Sequence, residues 1–222
     1  MSPIFLWGIA TSVILCSAHA AAQPVVISRD GAVEQSVGTQ YVYESYAIVH
    51  PLQPPVRESY SVELTELWPG GVSFKYRVEQ SVIGTEEGIQ TLTSLDDCKT
   101  IDPWWEPSEI EFDDRCELWI SLKAYRELVT TGTSYLTVDK LARHDSVVRW
   151  ERTAFVHFLV TRNGYPAMLN ALKAQTSRGD EFIILADPDN PLILSAKSTH
   201  FSWTLKSIGC AGSDTQTLAD KP

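Results

Sequence analysis

From residue 56 onward the chain alternates apolar and polar positions with a period of two. Val56, Tyr60, Val62 and Leu64 share one parity, and Arg57, Ser59, Ser61, Glu63 and Thr65 share the other. Beyond Trp68-Pro69-Gly70-Gly71, the residues Val72, Phe74, Tyr76 and Val78 alternate with Ser73, Lys75, Arg77 and Glu79. Successive side chains of an extended strand point to opposite faces, so the pattern predicts one buried and one solvated face. Two such runs around Pro-Gly-Gly predict a β-hairpin.

The same reading extends in both directions. Gln40 to His50, rich in Tyr and Val, predicts a preceding strand, broken by Pro51, Pro54 and Pro55 because proline cannot donate to a ladder. Val25 to Ser28 reads as a short strand in the lead-in, and Ile89 to Ser94 as another downstream. Ser134 to Val138, Val147 to Arg152 and Phe155 to Thr161 lead to Asn163-Gly164, a strong hairpin signal because both turn positions need positive φ. The return strand runs from Pro166 towards Thr176, and Arg178-Gly179-Asp180 turns into Phe182 to Leu185, an apolar run suited to a central strand. Asp187-Pro-Asp-Asn-Pro191 turns into Leu192 to Leu194, and Phe201, Trp203 and Leu205 close the pattern.

One helix interrupts the strands. Ser121 suits an N-cap before Leu122 to Val129, whose Leu122, Tyr125, Leu128 and Val129 share a face, and Gly132 suits the stop. Short connections imply antiparallel neighbours. A dozen such strands curl rather than stay open. The expected fold is therefore mainly β: an antiparallel barrel or a two-layer, strongly curved sheet with one short helix.

The N-terminus departs from this pattern. Ile4 to Cys16 is apolar and uncharged, and Ser17-Ala18-His19-Ala20-Ala21-Ala22 supplies small residues at signal-peptidase spacing. Residues 1–20 read as a signal peptide cleaved after Ala20 or Ala22, since so short a run falls below the roughly 20 residues that span a bilayer. The n-region lacks Lys and Arg, so retention as a membrane anchor is the alternative to cleavage; Cys16 follows the bulky Leu15, which argues against lipid attachment. The division is then residues 1–20 as leader, 21–208 as a single β-rich domain and 209–222 as a polar disordered tail. No internal domain boundary or repeat is visible. The expected location is periplasmic or secreted, with no transmembrane segment in the mature chain. The net charge of −10 makes nucleic acid an improbable partner and disfavours an anionic membrane surface.

With Cys16 lost in the leader, Cys98, Cys116 and Cys210 remain. Cys98 and Cys116 bracket a segment rich in Trp, Pro and acid that has no clear period, and export predicts that they pair. Closing a loop of that size is worth about 3 kcal/mol. Cys210 is left over in the tail; its pairing with either of the others is the alternative.

Phe182-Ile-Ile-Leu-Ala-Asp-Pro-Asp-Asn-Pro-Leu-Ile-Leu194, Phe201-Ser-Trp-Thr-Leu205 and Ile208 resemble a family of uncharacterised exported proteins of proteobacteria. Trp119-Ile-Ser-Leu, the helix ending at Leu128, Gly132, Asn163-Gly164, Tyr41-Val-Tyr43 and Pro69-Gly-Gly-Val72 follow a similar order there. These motifs are turns and core strands. The resemblance implies a periplasmic β protein and carries no activity and no functional residue.

Candidate chemistry is sparse. Gly132-Thr-Ser-Tyr and Gly71-Val-Ser-Phe lack the second glycine of a nucleophile elbow. His50, His144, His157 and His200 lie far apart in sequence, and His157 falls inside a strand. Asp187, Asp189 and Asn190 place three oxygen-bearing side chains in one turn, as calcium favours, but Asp, Asn and Pro are also what turns are made of. Glu109, Glu111, Asp113 and Asp114 are a second oxygen-rich candidate, and zinc-type Cys/His spacing is lacking. Trp104-Trp105, in the Pro-rich loop between the cysteines, suits stacking on a sugar or on a partner's apolar surface, or covering the end of the barrel.

The sequence reading is a non-catalytic binding or envelope-associated module without a cofactor. Its partner is an envelope protein, a glycan or an apolar ligand, met through the barrel mouth or the Asp96–Cys116 loop. The alternatives are an exported hydrolase with a site assembled from distant residues, and a structural subunit of a larger complex.

Overall fold

The computed structural model describes residues 33, 35–47, 56–80, 84–101, 109–138, 146–199 and 201–210. The leader and its two cleavage points, the Val25–Ser28 strand, the 51–55 prolines and residues 211–222 lie outside them. Among the described residues the order is β1 (Thr39–Ala47), β2 (Val56–Trp68), β3 (Gly71–Gln80), β4 (Gly84–Leu92), β5 (Thr100–Ile101), β6 (Glu109–Phe112) and α1 (Leu122–Thr130). Then come β7 (Thr133–Val138), β8 (Ser146–Arg162), β9 (Tyr165–Thr176), β10 (Glu181–Leu185), β11 (Ile193–Lys197) and β12 (Phe201–Cys210).

All twelve strands form one sheet, ordered β5-β7-β8-β9-β10-β11-β12-β1-β2-β3-β4-β6. Two antiparallel meanders, β7–β12 and β1–β4, are joined where β1 pairs with β12. The pairing is not wholly antiparallel: β4–β6, β5–β7 and β8–β12 run parallel. Through the last of these, Thr161 and Arg162 meet Ser207 and Ile208, so β8 to β12 make a partial ring from which the rest of the sheet continues. The molecule is a mainly β, strongly curved sheet with one short helix.

The expected hairpin is β2–β3, turning at Pro69-Gly70 with Gly70 at φ +77°. Tyr60, Val62, Leu64, Val72, Phe74, Tyr76 and Val78 are buried, as the alternation requires. Burying each such side chain contributes about 1.5–3 kcal/mol. The core continues through an aromatic cluster: Tyr43 stacks on Tyr60 at 5.0 Å and tilts against Trp203 at 5.4 Å. Trp119 meets Tyr41 edge-on at 6.4 Å and Phe74 at 5.7 Å.

The two strands expected at 147–152 and 155–161 are one. β8 runs through both, and a register shift between Arg152 and Ala154 accommodates the extra residue. A bulge of this kind breaks the alternation without ending the strand. The Asn163-Gly164 turn follows, with both residues at positive φ, 48° and 83°.

Ser121 caps α1, its hydroxyl accepting the Ala124 amide at 3.2 Å, and Ala124, Tyr125 and Leu128 are the buried residues. Cys98 and Cys116 are joined, with Cα atoms 5.7 Å apart. The segment between them is not all loop: β5 pairs with β7 and β6 with β4. β6 is only four residues long, and its alternation of exposed and half-buried positions is too brief to register as a period. At the other end β12 continues through Gly209 and Cys210, opposite Gln40 and Thr39. Cys210 is buried there and is not a free thiol, which corrects the expectation of a left-over cysteine in a polar tail.

Candidate functional site

The β8–β9 hairpin changes its buried face part-way along. Near α1, Val148 and Trp150 of β8 and Leu172, Ala174 and Thr176 of β9 are buried, with Trp150 4.1 Å from the Phe182 ring. Val147, Arg149, Glu151 and Gln175 point to solvent. Phe155 pairs with the buried Leu172, and beyond that pair the roles reverse. On the distal half, Val160, Leu169 and Ala171 are buried, while the face of Trp150 and Leu172 becomes the open one.

That open face carries Phe155, Leu159 and Met168, exposed by 63%, 64% and 55%. Leu159 and Met168 are directly opposite each other in the register, as are His157 and Asn170, and Thr161 and Pro166. All of these are exposed, and none is acidic or a permanent cation. The flanking charges are already engaged. Arg149 pairs with Glu151 at 3.4 Å and Lys173 with Glu181 at 2.9 Å. Arg152 donates to the Val129 carbonyl at 2.6 Å and lies 5.0 Å over the Phe155 ring. Single exposed apolar residues are ordinary, but three large ones on one face of a hairpin, separated only by the uncharged His157–Asn170 pair, suit a contact surface.

The sequence does not reveal this face. Phe155 to Val160 is apolar on both parities apart from His157, and such a run reads as a strand buried on two sides. His157 is exposed, as a strand histidine facing solvent should be. His50, His144 and His200 lie outside the described residues, as do Trp104 and Trp105.

The Asp187-Asp189-Asn190 turn is organised around its own backbone. The Asp187 carboxylate accepts the Asp189 amide at 3.0 Å, and Asp189 points to solvent. Asn190 turns inward: its side-chain oxygen accepts from Trp119 Nε1 at 3.0 Å and Gln35 Nε2 at 2.6 Å, and its Nδ2 donates to the Val33 carbonyl at 3.1 Å. Its oxygen is thus occupied as a hydrogen-bond acceptor. Glu109, Glu111, Asp113 and Asp114 are all exposed, and no cluster of three metal-ligating His, Cys, Asp or Glu side chains occurs among the described residues.

On the outer face of β1–β2, Glu44 is paired with Arg57 and, at 2.8 Å, with Lys206. Lys206 and then Arg57 hold its carboxyl below the usual carboxylate range. Glu58, in the same groove, accepts from the Ser45 hydroxyl at 3.3 Å. Burial pushes its pKa up, and Glu86 adds to the rise.

No protein-family model matches this chain, and no curated protein or solved structure is similar to it.

Proposed function

We propose that this protein is a non-catalytic binding module of the cell envelope, and that it docks an apolar surface of a protein partner on the distal face of β8–β9. The observation that carries the reading is the set of Phe155, Leu159 and Met168, each more than half exposed, with no acid among its exposed neighbours and with the one adjacent cation, Arg152, bound to the Val129 carbonyl and laid over the Phe155 ring. An uncharged face selects an apolar counterpart; an anionic lipid surface calls for free cations, and the flanking Arg149 and Lys173 are already paired. The Cys98–Cys116 bond suits an oxidising compartment, and no helix of the described residues is long and apolar enough to cross a membrane. On this reading the chain is exported, in keeping with its resemblance to exported proteobacterial proteins.

The test is a photo-crosslinking residue placed at Leu159 and, separately, at Lys75 on β3, in cells making the full chain. A discrete protein adduct at position 159, absent at 75 and lost when Phe155→Ser and Met168→Ser are added, supports the reading. Equal adducts at both positions, or none at 159, overturn it.

A further inference from the structure

Arg162 ends β8 where that strand meets β12, and it is only 5% exposed. The register fixes its surroundings. Arg162 pairs with Ile208, and Ile208 pairs with Tyr41 on β1. Directly paired residues project from the same side of a sheet, and neighbouring strands lie about 4.8 Å apart. Two long polar side chains therefore flank one isoleucine on the buried side, where Ile208 is 1% and Tyr41 0% exposed.

Both polar side chains keep donors that the fold does not use. Arg162 Nε and Nη2 and the Tyr41 hydroxyl have no hydrogen-bond partner among the described residues. Gln35 and Asn190 act on the Tyr41 oxygen as amide donors, which leaves the phenol's own O–H without an acceptor, and the Asn190 side-chain oxygen is committed to Trp119 and Gln35. Burial pulls the pKa of Arg162 down, as expected of a desolvated cation, and pushes that of Tyr41 well up, so the phenol keeps its proton as a donor at neutral pH. A buried charge without a counter-charge is costly, and a fold that keeps one has a reason to.

The atoms left over identify the ligand. Nε and Nη2 form one edge of the guanidinium, two parallel donors at the spacing of the oxygens of a carboxylate. We infer that Arg162 and Tyr41 form a buried site for a small carboxylate, held by both donors of the Nε–Nη2 edge and by the Tyr41 hydroxyl. One guanidinium balances one negative charge. A dianion such as phosphate carries a second, in a neighbourhood where Asp187 already contributes a negative field at Tyr41. The site is separate from the open face of β8–β9 and stands whether or not that face docks a partner.

The test is thermal unfolding of the full chain in formate, against chloride at matched ionic strength. The wild type should gain roughly 3–5 °C in Tm for each ten-fold rise in formate above its Kd, with no such gain in chloride. Tyr41→Phe keeps the ring and removes one donor, so the same gain should need several-fold more formate. Arg162→Lys keeps the charge without the two-donor edge and should abolish it. A wild-type Tm that follows ionic strength alone overturns the inference. So does an Arg162→Lys protein with the wild-type formate response, which would place the carboxylate elsewhere. Should Arg162→Lys fail to fold, Tyr41→Phe decides alone: an unchanged formate dependence sinks the site.

Discussion

Trp119 donates its indole N–H to the side-chain oxygen of Asn190, 71 residues further along the chain, at 3.0 Å. Around this bond the residues before α1 join the turn before β11. Ile120 donates to the Pro191 carbonyl and Ile193 to that of Leu118, and Trp119 bridges to Leu192. The aromatic core is thus held to a polar turn by one buried amide. Asn190→Ala strands the Trp119 donor and the Val33 carbonyl. Each stranded buried group costs about 1–3 kcal/mol, so the variant should lose about 2–6 kcal/mol, seen as a lower urea midpoint with an unchanged slope. A midpoint at the wild-type value would show that the bond contributes nothing.

The Cys98–Cys116 bond closes a sequence separation of 18 residues. Replacing both cysteines with alanine should cost about 3 kcal/mol. Mild reductant should lower the wild-type urea midpoint by at least as much, because it also opens the bond that Cys210 makes. Peptide mapping of the non-reduced protein checks the pairing directly.

Glu44 and Glu58 should respond oppositely to neutralisation. The pKa of Glu44 is lowered by Lys206 and Arg57, so its contribution is present above the ordinary carboxylate pKa and is lost as pH falls through the lowered one. The pKa of Glu58 is raised by burial, so its charged form opposes folding above that raised value. Glu44→Gln should therefore destabilise at pH 7 and Glu58→Gln stabilise. Both differences should shrink towards zero as pH falls below the lowered pKa of Glu44. Urea midpoints at pH 7 and pH 3 test the signs, and salt should reduce the Glu44 effect, because Arg57 and Lys206 are more than half exposed.

Gly88 lies opposite Tyr76 in the β3–β4 register, with the ring laid over it. A Cβ built there would stand 2.6–2.7 Å from the ring and its hydroxyl, and Tyr76 is 2% exposed. Gly88→Ala should cost about 1–3 kcal/mol by overpacking. Gly88→Ala combined with Tyr76→Leu should recover part of it; strict additivity in that cycle would show that the ring is not the obstacle.

Much of the fold was legible from residue order because its causes are local. The β2–β3 and β8–β9 turns rest on Pro69-Gly70 and Asn163-Gly164, where backbone conformation selects the residue. The buried face of β2 and β3 follows from strict alternation, and the helix from Ser121 and its apolar stripe. The short β6 looks like loop in the sequence because its pairing with β4 comes from another strand rather than from its own composition. The bulge at Arg152 is equally silent: the extra residue is defined only against β9.

Alternation by itself determined that this chain builds extended strands, where most of them turn, and which side chains of β2 and β3 enter a core. Only the tertiary structure decided that β12 meets β8, that Arg162 is thereby enclosed beside Tyr41, and that Phe155, Leu159 and Met168 are left outside. The reason is physical. Strand geometry is set by each residue and its neighbours, whereas burial at 155–162 depends on which face of a ribbon that carries apolar residues on both sides is covered by the rest of the sheet.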